Sequence, residues 1–160
     1  LNLRIATLLF VSSAAASAGE LSGRAEAIDG DSLRIGELEI RLQGIDAPEG
    51  RQTCTIDGRE WSCGRAATRA LAEILGKAAV RCTWSERDGY ERALATCFKG
   101  RTNINGKLVA RGMALAYRKY SDRYASQEAH ARSQGIGLWR SDFAAPWAWR
   151  RANRSTSTRR

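Results

Sequence analysis

Between residues 21 and 43 apolar side chains recur at every second position, interrupted only by turn residues. The runs LSGRAEAI, DSLRIG and ELEIRLQ read as a three-strand meander, with its first turn at Asp29-Gly30. In the last run Leu38, Ile40 and Leu42 share one face while Glu39, Arg41 and Gln43 share the other, so Arg41 points away from the core. A chain that starts this way must cover one side of a sheet. Three helical stretches are available to do so. GRAATRALAEILG carries Ala66, Ala70, Leu71, Ile74 and Leu75 on one stripe and stops at Gly76; TNINGKLVARG ends at Gly112; a third runs from Ser121 as N-cap through Tyr124, Glu128 and Ala131 to near Gly135. The class is therefore α+β, and 160 residues suffice for a single core.

Residues 1–18 read as a secretory signal peptide: Arg4, the apolar run IATLLFV, then small residues ending at Ala18. The domain proper spans 19–149, followed by a basic tail over 150–160 that has no apolar periodicity and is expected to be disordered. Export places Cys54, Cys63, Cys82 and Cys97 in an oxidising compartment, where an even set favours disulfides. The strand-like runs AAVRCTW and RALATCF flank a turn at Asp88-Gly89. Setting residue 88 opposite 91 puts Cys82 opposite Cys97, which leaves Cys54 for Cys63.

Lys and Arg number 26 against 17 Asp and Glu, a formal charge of +9, while 43% of residues are hydrophobic. Disorder and a membrane bundle are excluded, and polyanionic partners are favoured, nucleic acid first and then sulfated sugars or anionic lipid. A single histidine, His130, rules out a His-rich zinc site and reads as a solvated bystander on a polar helix. NGKL lacks the Ser or Thr of a phosphate-binding P-loop, and DGDSLRIGELEI has Leu33 and Ile40 where an EF-hand needs oxygen ligands. What remains is a set of acids and arginines: Asp29, Asp31, Arg41, Asp46, Glu49 and Arg92. Asp29 is foremost a turn device. Neighbouring strand ends bring such acids into one cleft, where a hard cation fits. Arginines beside it neutralise the non-bridging oxygens of a phosphodiester, and a spare carboxylate activates water. The segment GIDAPEGRQTCTIDGREWSCG, which holds two of these acids, has no sustained period and is expected to be a long functional loop.

The blocks AIDGDSLRI, IRLQGIDAPE, DGYERALATC, LVARGMALAY and GIGLW, in that order from about Arg24 to Trp139, resemble the thermonuclease family typified by staphylococcal nuclease. The resemblance implies an OB-fold, a five-stranded β-barrel with three α-helices. It implies calcium-dependent cleavage of DNA and RNA to 3′-phosphate ends. The chain is expected to be exported, to work as a monomer and to have no integral membrane association. The resemblance places Ca2+ on Asp31, Asp46 and the backbone carbonyl of Ala47, makes Glu49 the base and Arg41 and Arg92 the phosphate clamps, and sets Tyr90 and Tyr117 against the nucleotide. Ala47 and Gly89 depart from the Thr and Lys of the type member, and the closing DFAAPWAWRR is an addition to it. Trp139, Trp147 and Trp149 in and near that segment are read as packing onto the barrel. The rival is a catalytically silent nucleic-acid-binding module, which would have lost the acids and arginines that are all present here. A basic surface protein binding sugars or lipid explains the charge but not their arrangement.

Overall fold

The computed structural model describes residues 18–119 and 121–157, so the expected signal peptide lies, apart from Ala18, outside the described residues. The alternating segment folds as anticipated into three antiparallel strands, β1 (Gly19–Ala27), β2 (Ser32–Ile35) and β3 (Leu38–Leu42). The short β4 (Ile45–Asp46), a hairpin of β5 (Cys54–Ile56) and β6 (Arg59–Trp61), and helix α1 (Cys63–Leu75) follow. Then come β7 (Ala79–Arg87), β8 (Ala93–Lys99), β9 (Thr102–Asn103), α2 (Ile104–Ala110), β10 (Leu115–Ala116) and α3 (Ala125–Ser133). A 3-10 turn (Gly137–Arg140) and α4 (Pro146–Ser157) complete the described chain.

The main sheet runs β3-β2-β1-β7-β8-β9, and β3 also pairs in parallel with β8, setting Ile40 opposite Ala93. That pairing closes β1, β2, β3, β7 and β8 into the five-stranded barrel of an OB-fold and removes the open edges a flat sheet would present. The inward positions Leu33, Ile40, Val80, Cys82, Ala93, Ala95 and Cys97 are fully buried. Helices α1 and α2 add Ala67, Leu71, Leu75, Ile104 and Leu108 to the same core. On α1 the buried stripe takes Ala67 in place of the expected Ala66. Gly30 is required at the β1–β2 turn, because a Cβ there would come within 2.7 Å of the Ala47 side chain and 2.8 Å of that of Ala67.

Both disulfides form as expected, Cys54 with Cys63 and Cys82 with Cys97. The register behind the second needs correction. At the turn the Asp88 N–H donates to the Arg92 carbonyl at 3.0 Å, one residue beyond the assumed 88/91 pairing. A bulge between Trp84 and Glu86 absorbs the extra residue, so Cys82 still faces Cys97.

Three other expectations change. The presumed loop over 44–64 contains the β5–β6 hairpin, turning at Asp57 (φ 50°) and Gly58 (φ 74°), the two positive φ values of a type I′ turn. Helix α3 begins at Ala125, not Ser121, because the Ser121 hydroxyl accepts from the Arg123 N–H at 3.1 Å and holds that stretch in a local turn. The tail over 150–160 was expected to be disordered, yet the chain is helical from Pro146 to Ser157. A proline pre-set for the first helical turn starts α4, and tertiary contacts of Trp147 and Arg150 hold it where apolar periodicity is lacking.

Asn105 joins three elements from a fully buried position. Its amide donates to the Gln43 and Ala95 carbonyls, each at 3.0 Å, and its carbonyl accepts from the Cys97 N–H at 3.1 Å. Asn105→Leu fills a similar volume but strands the Gln43 carbonyl and the Cys97 N–H, while the Ala95 carbonyl keeps the Gln43 N–H at 2.8 Å, so urea unfolding of the oxidised protein is expected to show a loss of about 3 kcal/mol. A loss below about 1 kcal/mol would show that solvent reaches those groups.

Candidate active site

The turn after β1 and the end of β3 lie side by side because β2 pairs with β3, with Ser32 opposite Arg41. The Asp29 carboxylate accepts from the Asp31 N–H at 3.0 Å, the turn role expected of it, and thereby orients Asp31. β4 pairs with β10, Asp46 opposite Leu115, which brings Asp46 to the same spot. Arg41 joins the two acids: Nη1 lies 2.9 Å from Asp31 Oδ1 and Nη2 lies 2.9 Å from Asp46 Oδ1. Both carboxylates are almost wholly buried. Asp31 Oδ2 accepts from the Ala47 N–H at 2.8 Å, which fixes the start of the following loop against it.

Glu49 is placed by that loop and by α1. The Gln52 N–H donates to the Glu49 carbonyl at 2.7 Å, the Glu49 N–H donates to Gln52 Oε1 at 3.2 Å, and the Gly64 N–H donates to the Gln52 carbonyl at 3.1 Å. Gly64 is obligatory, since a Cβ there would lie 1.8 Å from the Glu49 carbonyl oxygen. Gln52, fully buried, also donates to the Ala144 carbonyl at 2.7 Å and so ties the loop to the C-terminal segment. The β5–β6 hairpin adds a second tie, with Thr55 and Asp142 exchanging both backbone hydrogen bonds.

Arg92 enters from the β7–β8 turn. Asp88 holds it, with Asp88 Oδ2 2.7 Å from Nη2 and 2.8 Å from Nε. Its Nη1 reaches the Ser32 hydroxyl at 3.5 Å, and that hydroxyl donates to Asp31 Oδ1 at 3.3 Å. The Asp88 carboxyl sits below the usual range: burial works against its charge, but hydrogen bonds from Arg92 and the Tyr90 N–H outweigh that. The two tyrosines separate. Tyr90 is 83% exposed and lies against the Arg92 guanidinium, 5.5 Å from ring centroid to Cζ. Tyr117 lines a cleft of about 710 Å3 together with Arg41, Gly44, Glu86, Ser121 and Arg123. Its ring packs on Trp147 at 5.7 Å, in keeping with the packing role read for that tryptophan. His130 is exposed.

Arg150 is the residue that sequence reasoning missed at this site. From the first half of α4 its Nη1 reaches Asp46 Oδ1 at 3.0 Å and Glu49 Oε1 at 2.7 Å, and its Nη2 reaches Asp46 Oδ2 at 2.8 Å. The available signal was Pro146 as a helix start, which puts Trp147 and Arg150 one turn apart on one face.

Burial pushes the Asp31 carboxyl up to about 7; Arg41 and the Ala47 N–H pull it down, but not enough to overcome desolvation and the nearby Asp29 and Asp46. For Arg41 burial opposes the charge, yet Asp31, Asp46 and Asp29 together hold its pKa above the ordinary arginine value. Arg150 is held above it too, by its hydrogen bonds to Asp46 first and, against a burial penalty, by Glu49. The pocket thus concentrates buried negative charge on hard oxygen donors, met by the guanidiniums of Arg41 and Arg150. Asp31 and Asp46 suit a hard divalent cation in donor type, although among the described residues no three His, Cys, Asp or Glu side chains form a ready-made metal cluster.

Residues 39–141 match the family model described as staphylococcal nuclease homologue. The chain belongs to that family. It is 35% identical to the succinoglycan biosynthesis protein ExoI of Rhizobium meliloti, over 85% of this chain and 73% of that protein. It is 34% identical to a micrococcal nuclease of Shigella flexneri, over 81% and 80% of the two chains. An uncharacterized endonuclease of Haemophilus influenzae is 33% identical over 77% of this chain and 68% of its own length. The chain is accordingly a nuclease-type enzyme, a phosphodiesterase of the endonuclease kind.

The raised Asp31 carboxyl makes a signed prediction for the metal-free protein. A folded value near 7 against 3.8 in the unfolded chain means that the stability contribution is full below pH 3.8, is lost as pH rises from there to 7, and is absent above. Each pH unit is worth about 1.4 kcal/mol. Asp31→Asn should therefore stabilise the metal-free protein at pH 8, by a few kcal/mol at most, with the gain shrinking toward pH 4.5. Urea melts at both pH values in chelator check this, and a variant less stable than wild type at pH 8 would refute it.

Proposed function

We propose that this enzyme is a calcium-dependent nuclease that cleaves both DNA and RNA and leaves 3′-phosphate ends. The observation that carries the reading is the bridge from Asp31 through Arg41 to Asp46, with Glu49 at its edge. Two buried carboxylates facing one another retain charge only beside a cation, and their oxygens suit calcium. Asp31, Asp46 and the carbonyl of Ala47 would hold it. When bound, calcium supplies charge for the phosphodiester oxygens and a Lewis acid at neutral pH.

The chain's own groups do the rest. Glu49 takes a proton from the water that attacks phosphorus. Arg41 and Arg92 donate to the non-bridging oxygens as negative charge builds there, and the 5′-oxygen leaves, so the phosphate stays on the 3′ side. Asp88 and Ser32 aim the Arg92 fork. Tyr117, on the cleft wall beside Arg41, receives the nucleotide, and Tyr90 flanks it beside Arg92. The formal charge of +9 attracts a polyanion without regard to sequence. Two disulfides support a working place in an oxidising compartment, reached by export. The proposed working unit is a monomer. No helix among the described residues is long and apolar enough to cross a membrane.

Digestion of plasmid and of RNA should require added calcium, run poorly on magnesium and stop in excess chelator. Undiminished cleavage in chelator would overturn the cation. Glu49→Gln should lose roughly 10² to 10⁴ in single-turnover rate while still folding and binding DNA. Arg41→Lys and Arg92→Lys keep the charge but lose the planar fork, so each should lose about 10² or more in rate at temperatures where the variant is fully folded. Arg92→Lys should melt near wild type, whereas Arg41→Lys, which can no longer span Asp31 and Asp46, should melt lower. Rate losses that only follow lost stability would reduce both arginines to structural parts.

A further inference from the structure

All four carboxylate oxygens of the two buried aspartates are already engaged. Asp31 Oδ1 accepts from Ser32 and pairs with Arg41, and Asp31 Oδ2 accepts from the Ala47 N–H. Asp46 Oδ1 accepts from both Arg41 and Arg150, and Asp46 Oδ2 accepts from Arg150. The same Arg150 guanidinium holds Glu49 Oε1 at 2.7 Å. One side chain, carried on a helix more than a hundred residues away in sequence, therefore grips a carboxylate assigned to the cation and the carboxylate assigned to the base.

We propose that Arg150 is a tethered counter-ion that competes with the divalent cation for Asp46 and masks Glu49, so that the C-terminal helix keeps the metal-free enzyme silent. The proposal rests on the cation reading above. Its physical basis is exclusion of like charge. A divalent ion beside Asp46 and a guanidinium bonded to both Asp46 oxygens repel each other at short range in a poorly hydrated site, so one must yield. The same guanidinium occupies Glu49 Oε1, one of the two oxygens that would accept the proton of the attacking water, so the base is partly covered while Arg150 stays in place.

Release needs no unfolding. The backbone of α4 is anchored away from the acids, by Trp147 on Tyr117 and by the cluster of Trp61, Leu115, Leu138 and Phe143 that Trp147 joins. The Arg150 side chain is 31% exposed, so it stands at the mouth of the pocket and its long stem can rotate into solvent. Arg41 differs. It lies deeper and bridges Asp31 to Asp46, holding the acids together and not capping them.

The test is calorimetric titration of calcium into the metal-free full-length protein, wild type against Arg150→Gln and Arg150→Lys, with melting temperatures in chelator and in saturating calcium. Arg150→Gln should bind calcium at least about tenfold more tightly than wild type. Arg150→Lys, which keeps a charge but cannot span Asp46 and Glu49 with one fork, should fall between them. In chelator Arg150→Gln should melt below wild type, having lost its counter-ion, and in saturating calcium the gap should close. Equal or weaker calcium binding by both variants, in protein that is folded by circular dichroism, overturns the competition. If Arg150→Gln does not fold, Arg150→Lys alone decides: binding no tighter than wild type overturns it. Absence of calcium binding by wild type and variants alike removes the cation reading and the proposal with it.

Discussion

Two buried carboxylates that face each other impose the constraint on which this molecule is built. Asp31 and Asp46 repel each other in a site that water scarcely reaches, and the fold tolerates them because Arg41 is threaded between them and Arg150 pairs with Asp46. Desolvation still wins at Asp31, whose carboxyl is lifted to about 7 despite that partner. Such a pocket is costly for the fold and useful to the chemistry: its buried carboxylates draw in cationic groups, here Arg41 and Arg150.

The surrounding structure reads as the means of holding that pocket in shape. Closure of β3 on β8 fixes where Arg41 leaves the barrel. Asn105 ties the end of β3, β8 and α2 with three hydrogen bonds from a fully buried position, so the barrel wall next to the site cannot slide. On the other side Gly64 lets α1 touch the Glu49 carbonyl, and Gln52 links the Glu49 loop to Ala144. The Cys54–Cys63 disulfide staples the β5–β6 hairpin, which follows the Glu49 loop, to the start of α1. The C-terminal segment is consequently a second wall of the site, not an appendage.

Much of this was legible residue by residue. Period-two alternation over 21–43 has one physical solution, a half-buried meander, and Asp29-Gly30 marks its first turn, although the glycine there serves close packing against Ala47 and Ala67 and not a positive φ. The α1 stripe and its stop at Gly76 were equally plain. The Cys82–Cys97 pairing came out correctly although the assumed turn register was one residue off, because a bulge absorbed the difference. Where reading failed, local and tertiary signals diverged. Ser121 looked like a helix cap, but its hydroxyl serves a turn two residues on. The Asp57-Gly58 turn was hidden in a segment too short and too polar for alternation to show.

The sequence by itself determined the class of fold, the cysteine pairs, and the inventory of acids and arginines, because each rests on periodicity or on residue chemistry close along the chain. Only the tertiary structure decided how those groups are shared. That Arg41 spans two acids while Arg92 is held by Asp88 depends on strand pairing and a turn one residue longer than assumed. That a basic run near the C-terminus forms a helix and places Arg150 on Asp46 and Glu49 depends on packing of Trp147 and on an electrostatic demand created some hundred residues earlier. A buried charge draws its partner from wherever the fold brings one within reach, and distance along the chain carries no record of that.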